Sequence, residues 1–314
     1  MLTRRHIRIK VMQSVYSFNI GKQHKIDDEV KFFKESIEHT FNLYLLLLSL
    51  IKSLHAYAEQ QLETIQKHNI QNETHFIILQ KFAQNKVLVF IKEHESLSKH
   101  LNNKKLINWD LEFKYLKELF EIVTSSAVFE AYMALENITI VDDLKLVSKI
   151  FKDHIATSNY LYDHIEDLRL TWVDDLPMVN TFILKMLKNI EVNKPQSLIF
   201  PKPSENQEDT DFGIHLLEKV IVNDEKLQKE LLGKTPNWDT DRIAQLDNVI
   251  LKIAIAELLY FPLIPSKVTL NEYLEIAKDY STPNSNNFVN GVLDKLVKEF
   301  SQENRLNKTG RGLL

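Results

Sequence analysis

Along the first twenty residues, Ile7, Val11, Val15 and Phe18 recur at spacings of four, four and three. That rhythm lines one face of a helix, predicted over Thr3 to about Phe18 with Thr3 as its N-cap. Arg4, Arg5, Arg8 and Tyr16 fall largely off the apolar face, toward solvent. The same reading predicts long helical segments from Asp27 to about His68, Glu73 to His100 and Asp110 to Leu135. Shorter helices follow over Asp142 to Thr157, Asn159 to Trp172 and Pro177 to Ile190. After residue 211 come Phe212 to Val222, Asp224 to Leu232, Asp241 to Tyr260, Lys267 to Tyr280 and Ser285 to Phe300. The Asp241 helix carries Leu246, Val249, Ile250, Ile253, Ala254, Ile255 and Leu258, apolar around most of its circumference, so it is expected at the centre of a core.

Composition sharpens this pattern into an all-α fold. The 314 residues hold only 6 glycines and 8 prolines. The first proline is Pro177, and Gly21 is the only glycine before it. Sheets need turn glycines and prolines at short intervals, and this stretch lacks them. Residues 193 to 211 change character: Pro195, Pro201 and Pro203 precede Ser204-Glu205-Asn206-Gln207-Glu208-Asp209, which reads as a linker or exposed loop. The tail from Asn304 is expected to be mobile. Trp172 onward echoes Trp238 onward, which shared use of a small apolar alphabet explains more simply than duplication.

Charge and chemistry narrow the function. There is no cysteine, so disulfides and thiolate chemistry are excluded and a cytoplasmic location is expected. The run from Phe41 to Ile51 is too short to span a bilayer, and no membrane association is expected. Net charge is −4, yet Arg4, Arg5, Arg8, Lys10, Lys22 and Lys25 all precede the first acidic residue, Asp27. Arginines at a helix N-terminus oppose the macrodipole and hint at an external anion. Catalytic patterns fail. His94-Glu95 is followed by Ser98 where a zinc-protease motif needs His, and His154 and His164 are ten apart. No nucleophile-elbow or glycine-rich phosphate motif occurs. The expectation is a protein that is not an enzyme and carries no cofactor.

The C-terminal third holds an ordered set of motifs: Ile250-Leu251-Lys252-Ile253-Ala254 with Glu257-Leu258, then Pro265, then Lys267-Val268 with Asn271-Glu272, then Phe288 to Asp294. At the other end stands RRHIRIKVMQSVYSF. Together these resemble the NusB family of transcription antitermination factors, over about residues 1–20 and 208–300. The implied architecture is a NusB-like helical bundle with an inserted helical domain: 1–20 as the first helix, 21–207 inserted, 208–300 as the core and 301–314 as a flexible tail.

The resemblance implies a non-catalytic factor that binds boxA-type single-stranded RNA of ribosomal RNA leaders. It acts with the ribosomal protein called NusE and, through it, with the RNA polymerase complex. The alternative is a protein–protein scaffold with little RNA binding. Cations for phosphates and aromatic or amide groups for splayed bases are what single-stranded RNA asks for. The expected RNA-binding residues are Arg4, Arg5, Arg8, Lys10 and Tyr16 on the first helix, with Asn287, Phe288 and Asn290 near the start of the last. Tyr16 reads equally as half-buried core. Phe288 shares a stripe with Val292 and Leu296 and reads more readily as core. Asn290 and Gly291 are expected to permit close helix packing. The Pro262–Pro265 turn reads as folded inward, with partner docking on exposed aliphatic residues as the alternative.

Overall fold

The computed structural model describes residues 2–21, 25–68, 73–103, 109–201, 207–232 and 245–313. Of the linker expected over residues 193–211, residues 202–206 lie outside these and residues 207–211 are helical; the expected helix start at Asp241 also lies outside them. Every regular element among the described residues is helical. In chain order they begin with α1 (Arg4–Ile20), α2 (Ile26–His68), α3 (Glu73–Ala83), α4 (Lys86–Glu93) and α5 (Glu95–Asn103). Next come α6 (Phe113–Thr124), α7 (Ala127–Met133), α8 (Ile140–Ile150), α9 (Asn159–Leu168) and α10 (Thr171–Lys188). The last are α11 (Gln207–Val222), α12 (Asp224–Leu231), α13 (Gln245–Tyr260), α14 (Ser266–Tyr280) and α15 (Ser285–Gln302).

Two segments expected as continuous helices are broken by capping residues. Asn85 is buried and accepts from the backbone N–H groups of Val87 and Leu88, both at 3.0 Å, starting α4 afresh. Ser126 accepts from Phe129 N–H and starts α7. Short polar side chains offer the backbone an alternative to helix continuation, and tertiary packing selects it here. Conversely, α10 begins at Thr171, six residues before its expected start at Pro177, and carries Pro177 inside. Burial of Trp172 and Leu176 on that first stretch offsets the lost backbone bond.

The chain divides into two compact units, residues 38–202 and residues 2–37 with 203–314. In the first, the α2 run from Leu43 to Leu48 is buried on all sides. By length and composition α2 is apolar enough to cross a membrane, but that run lies in a core of Trp109, Phe120, Phe129, Ile165 and Ile183. Several buried polar groups there pair with one another: Trp109 Nε1 donates to Ser49 Oγ at 2.8 Å, and Thr40 donates to Asp175 at 2.6 Å. Tyr132 donates to Asp143 at 2.6 Å.

The second unit is built around α13, whose residues from Val249 to Leu258 are all buried. Helices α1, α11, α12, α14 and α15 pack on it. The first turns of α2 belong here too, through Phe33 and Ile37. Gly213 allows α11 its close approach: a Cβ there would lie 2.2 Å from Phe33 Cζ and 2.7 Å from Ile7 Cγ2. The segment 301–314, expected as a flexible tail, is instead tied down as far as residue 313. Arg305 pairs with Glu230, Lys308 Nζ donates to the Phe261 carbonyl at 3.1 Å, and Thr309 N–H donates to the Pro262 carbonyl at 3.0 Å. Gly312 is pressed on that same carbonyl, where a side chain would not fit. Backbone carbonyls of the turn after α13 accept these tail donors.

Candidate functional site

Helix α1 starts as its sequence dictates. Thr3 N–H donates to His6 Nδ1 at 3.1 Å, and Ile7 N–H donates to the Thr3 carbonyl at 3.1 Å. The first turn of α1 contains no acidic residue, so the macrodipole and the arginines repel. The compensating anions come from elsewhere in the same unit. Arg4 Nε donates to Asp209 at 2.7 Å and Arg4 Nη2 to Glu208 at 2.7 Å, both on the first turn of α11. Arg5 grips Glu272 of α14 with two bonds of 3.0 Å, and Glu275 lies 3.8 Å away. Donating to Glu272 holds the Arg5 guanidinium above its ordinary pKa. Partial burial pushes the Glu272 carboxyl up, but Arg5 and Arg8 hold it below its ordinary value.

Arg8 is different. Its side chain is 2% exposed and donates to both oxygens of Glu257, itself fully buried, at 2.8 and 2.9 Å. Thr269 and Tyr273 hydroxyls donate to the same carboxylate at 2.8 and 3.0 Å. The guanidinium also lies over the Phe212 ring, 5.2 Å from its centre. Burial alone would lower the Arg8 pKa; the Glu257 partner raises it instead. Burial and the Glu257 charge together push the Tyr273 phenol well above its usual range. Expected as solvent-facing, Arg8 is a core cation. Lys10, expected as an RNA contact, is buried as well. Both are buried, two residues apart and so on different flanks of α1, and neither reaches an external phosphate without unpacking the bundle.

Arg4 and Arg5 remain partly exposed. With His6, Leu263, Pro265 and Val268 they line an open groove of about 760 Å³. The turn after α13 splits between the two readings made of it: Ile264 is buried, while Leu263 is 65% exposed. Tyr16 is exposed farther along α1. On α15, Asn287 is exposed, while Phe288 and Asn290 are half-buried, with Phe288 packed on the core. Gly291 was expected to permit close packing. It is exposed instead, and a Cβ there would meet no atom within 4 Å.

Sequence reasoning missed the carboxylates. Glu257 stands alone in an otherwise apolar helix face, and a lone charge there signals a buried partner. Asp209 and Glu208 lay inside a stretch read only as linker. Among the described residues no group of three or more His, Cys, Asp or Glu side chains is placed to hold a metal.

Residues 180–298 match the NusB family. The match begins within α10 and does not take in residues 1–20, so α1 joins the domain through its packing on α11 and α13. Among curated proteins, the transcription antitermination protein NusB of Salinibacter ruber is 43% identical over 104 residues, 33% of this chain and 65% of that one. That of Chloroherpeton thalassium is 41% identical over 104 residues, covering 33% and 49%. That of Geotalea daltonii is 39% identical over 86 residues, covering 27% and 59%. The chain thus spans between about half and two thirds of the length of these relatives. No solved structure matches.

Proposed function

We propose that this chain, which carries a NusB-family domain at residues 180–298, is a non-catalytic RNA-binding transcription antitermination factor. Its target is a boxA-type single-stranded RNA of ribosomal RNA leaders. A NusE-like ribosomal protein shares that RNA, and the RNA polymerase complex is engaged through it. The working location is the cytoplasm. The observation that carries the reading is the placement of Arg4 and Arg5, partly exposed on the first turn of α1, beside an open groove edged by Leu263 and Val268.

The chemistry follows from that placement. Guanidinium groups meet phosphate oxygens as paired hydrogen-bond donors. Phosphate contacts fix the strand's position, and base contacts supply sequence preference. Tyr16, Asn287, Phe288 and Asn290 are the proposed base-facing residues. Arg8 and Lys10 hold α1 in place and do not touch RNA. Weak RNA binding by the chain alone is raised when a partner binds the same strand.

The test is fluorescence-anisotropy binding to a boxA-like RNA and a scrambled control, with and without the ribosomal protein, at two salt concentrations. Preference for the boxA-like strand, sharpened by the partner and weakened by salt, is the expected result. Arg4→Glu with Arg5→Glu abolishes it. A folded protein that binds neither RNA with the partner present overturns the reading in favour of a protein–protein scaffold.

A further inference from the structure

The anion that the α1 arginines call for is already present in the chain. Glu208 and Asp209 both close on Arg4 at 2.7 Å from 204 and 205 residues away, at the point where the chain re-enters this unit. Arg4 Nε takes one carboxylate and Nη2 the other, the two donors that a phosphate would use. The pair is asymmetric. The Glu208 side chain is 85% exposed and that of Asp209 only 16%. Both carboxylates also sit in the first turn of α11, where negative charge is favoured by that helix's own dipole. Arg5 is held differently, by a two-bond grip on Glu272, which also lies 3.7 Å from the buried Arg8.

We infer that Glu208 and Asp209 form an intramolecular phosphate mimic that occupies Arg4 and restrains RNA binding until the strand displaces it. The inference rests on the RNA-binding reading proposed above. Displacement is feasible because Glu208 is almost fully solvated, and an exposed ion pair contributes little to stability. Arg4, the more exposed of the two groove cations, is therefore gated by this pair. Arg5 is tied into the ion-pair network that includes Arg8.

The clamp makes a prediction about salt as well as affinity. An arginine already neutralised by a carboxylate exchanges one anion for another when RNA arrives. A released arginine adds a full phosphate contact, and each such contact steepens the salt dependence by about 0.7 in the logarithmic slope for single strands.

The experiment compares full-length wild type with Glu208→Gln, and with Glu208→Gln combined with Asp209→Asn, on the boxA-like RNA across a salt series. Each variant is first checked for an unchanged unfolding midpoint. The expected result is about two- to fivefold tighter binding at low salt and a steeper salt slope, both cancelled by adding Arg4→Gln. Glu208→Gln alone, at an exposed position, gives part of the gain if the double variant folds poorly. RNA binding by wild type with no gain in either variant overturns the clamp and leaves the RNA reading intact. No RNA binding by any of the proteins at low salt, with the ribosomal protein present, overturns both.

Discussion

Arg8 and Glu257 form a two-bond ion pair in the interior of the unit formed by residues 2–37 and 203–314, joining α1 to α13 across 249 positions of sequence. Two hydroxyls complete the acceptor capacity of the carboxylate, so neither charge is left unmet. Removing one partner strands the other in an apolar surrounding. Arg8→Ala is expected to lower unfolding stability by about 3–5 kcal/mol, and Arg8→Lys to recover only part of it, because lysine cannot form the paired grip. Urea unfolding of both variants checks this; a wild-type midpoint in Arg8→Ala would refute a structural role.

Gly213 should tolerate no side chain. Its missing Cβ is what lets α11 approach Phe33 and Ile7, both buried. Gly213→Ala is expected to cost about 1–3 kcal/mol through overpacking. A thermal melt that matches wild type would show that the crossing relaxes at no cost.

Gly291 predicts the opposite sign. It lies in mid-helix, exposed, with open space where a Cβ would go. Gly291→Ala is expected to stabilise by about 0.5–1 kcal/mol, since alanine loses less backbone entropy in a helix. If the same variant also weakened RNA binding, the bare backbone of α15 would be marked as a surface that a ligand approaches closely.

His55 governs a pH response of the unit formed by residues 38–202. It is fully buried, and burial lowers its pKa below the ordinary 6.5. Its Nε2 lies 2.8 Å from the Ala83 carbonyl and so carries the proton, which leaves Nδ1 as a bare lone pair. The unfolded chain then binds a proton more readily than the folded one. Stability is complete above 6.5 and falls as pH drops from there toward the lower folded value. Urea midpoints measured from neutral to mildly acidic pH should decline for wild type and change less for His55→Gln. An equal decline in both would assign the effect to another group.

Much of the helical layout is written in the chain. Thr3 caps α1, the apolar circumference of Val249 to Leu258 places α13 at a centre, and the scarcity of glycine and proline excludes sheets. The family motifs from Ile250 to Asp294 are legible for the same local reason. They are spaced by helix periodicity and turn chemistry, which act over a few residues.

What the sequence could not express is which partners meet across two hundred positions. The four basic residues of α1 look alike in the chain. Packing alone turned Arg8 and Lys10 inward, left Arg4 and Arg5 at the groove, and supplied them with Glu208, Asp209 and Glu272. The sequence by itself determined that α1 needs anions, because a helix N-terminus bearing arginines is electrostatically unfavourable. Only the tertiary structure decided that the chain supplies them itself, because ion pairing depends on distance in space, not on distance along the chain.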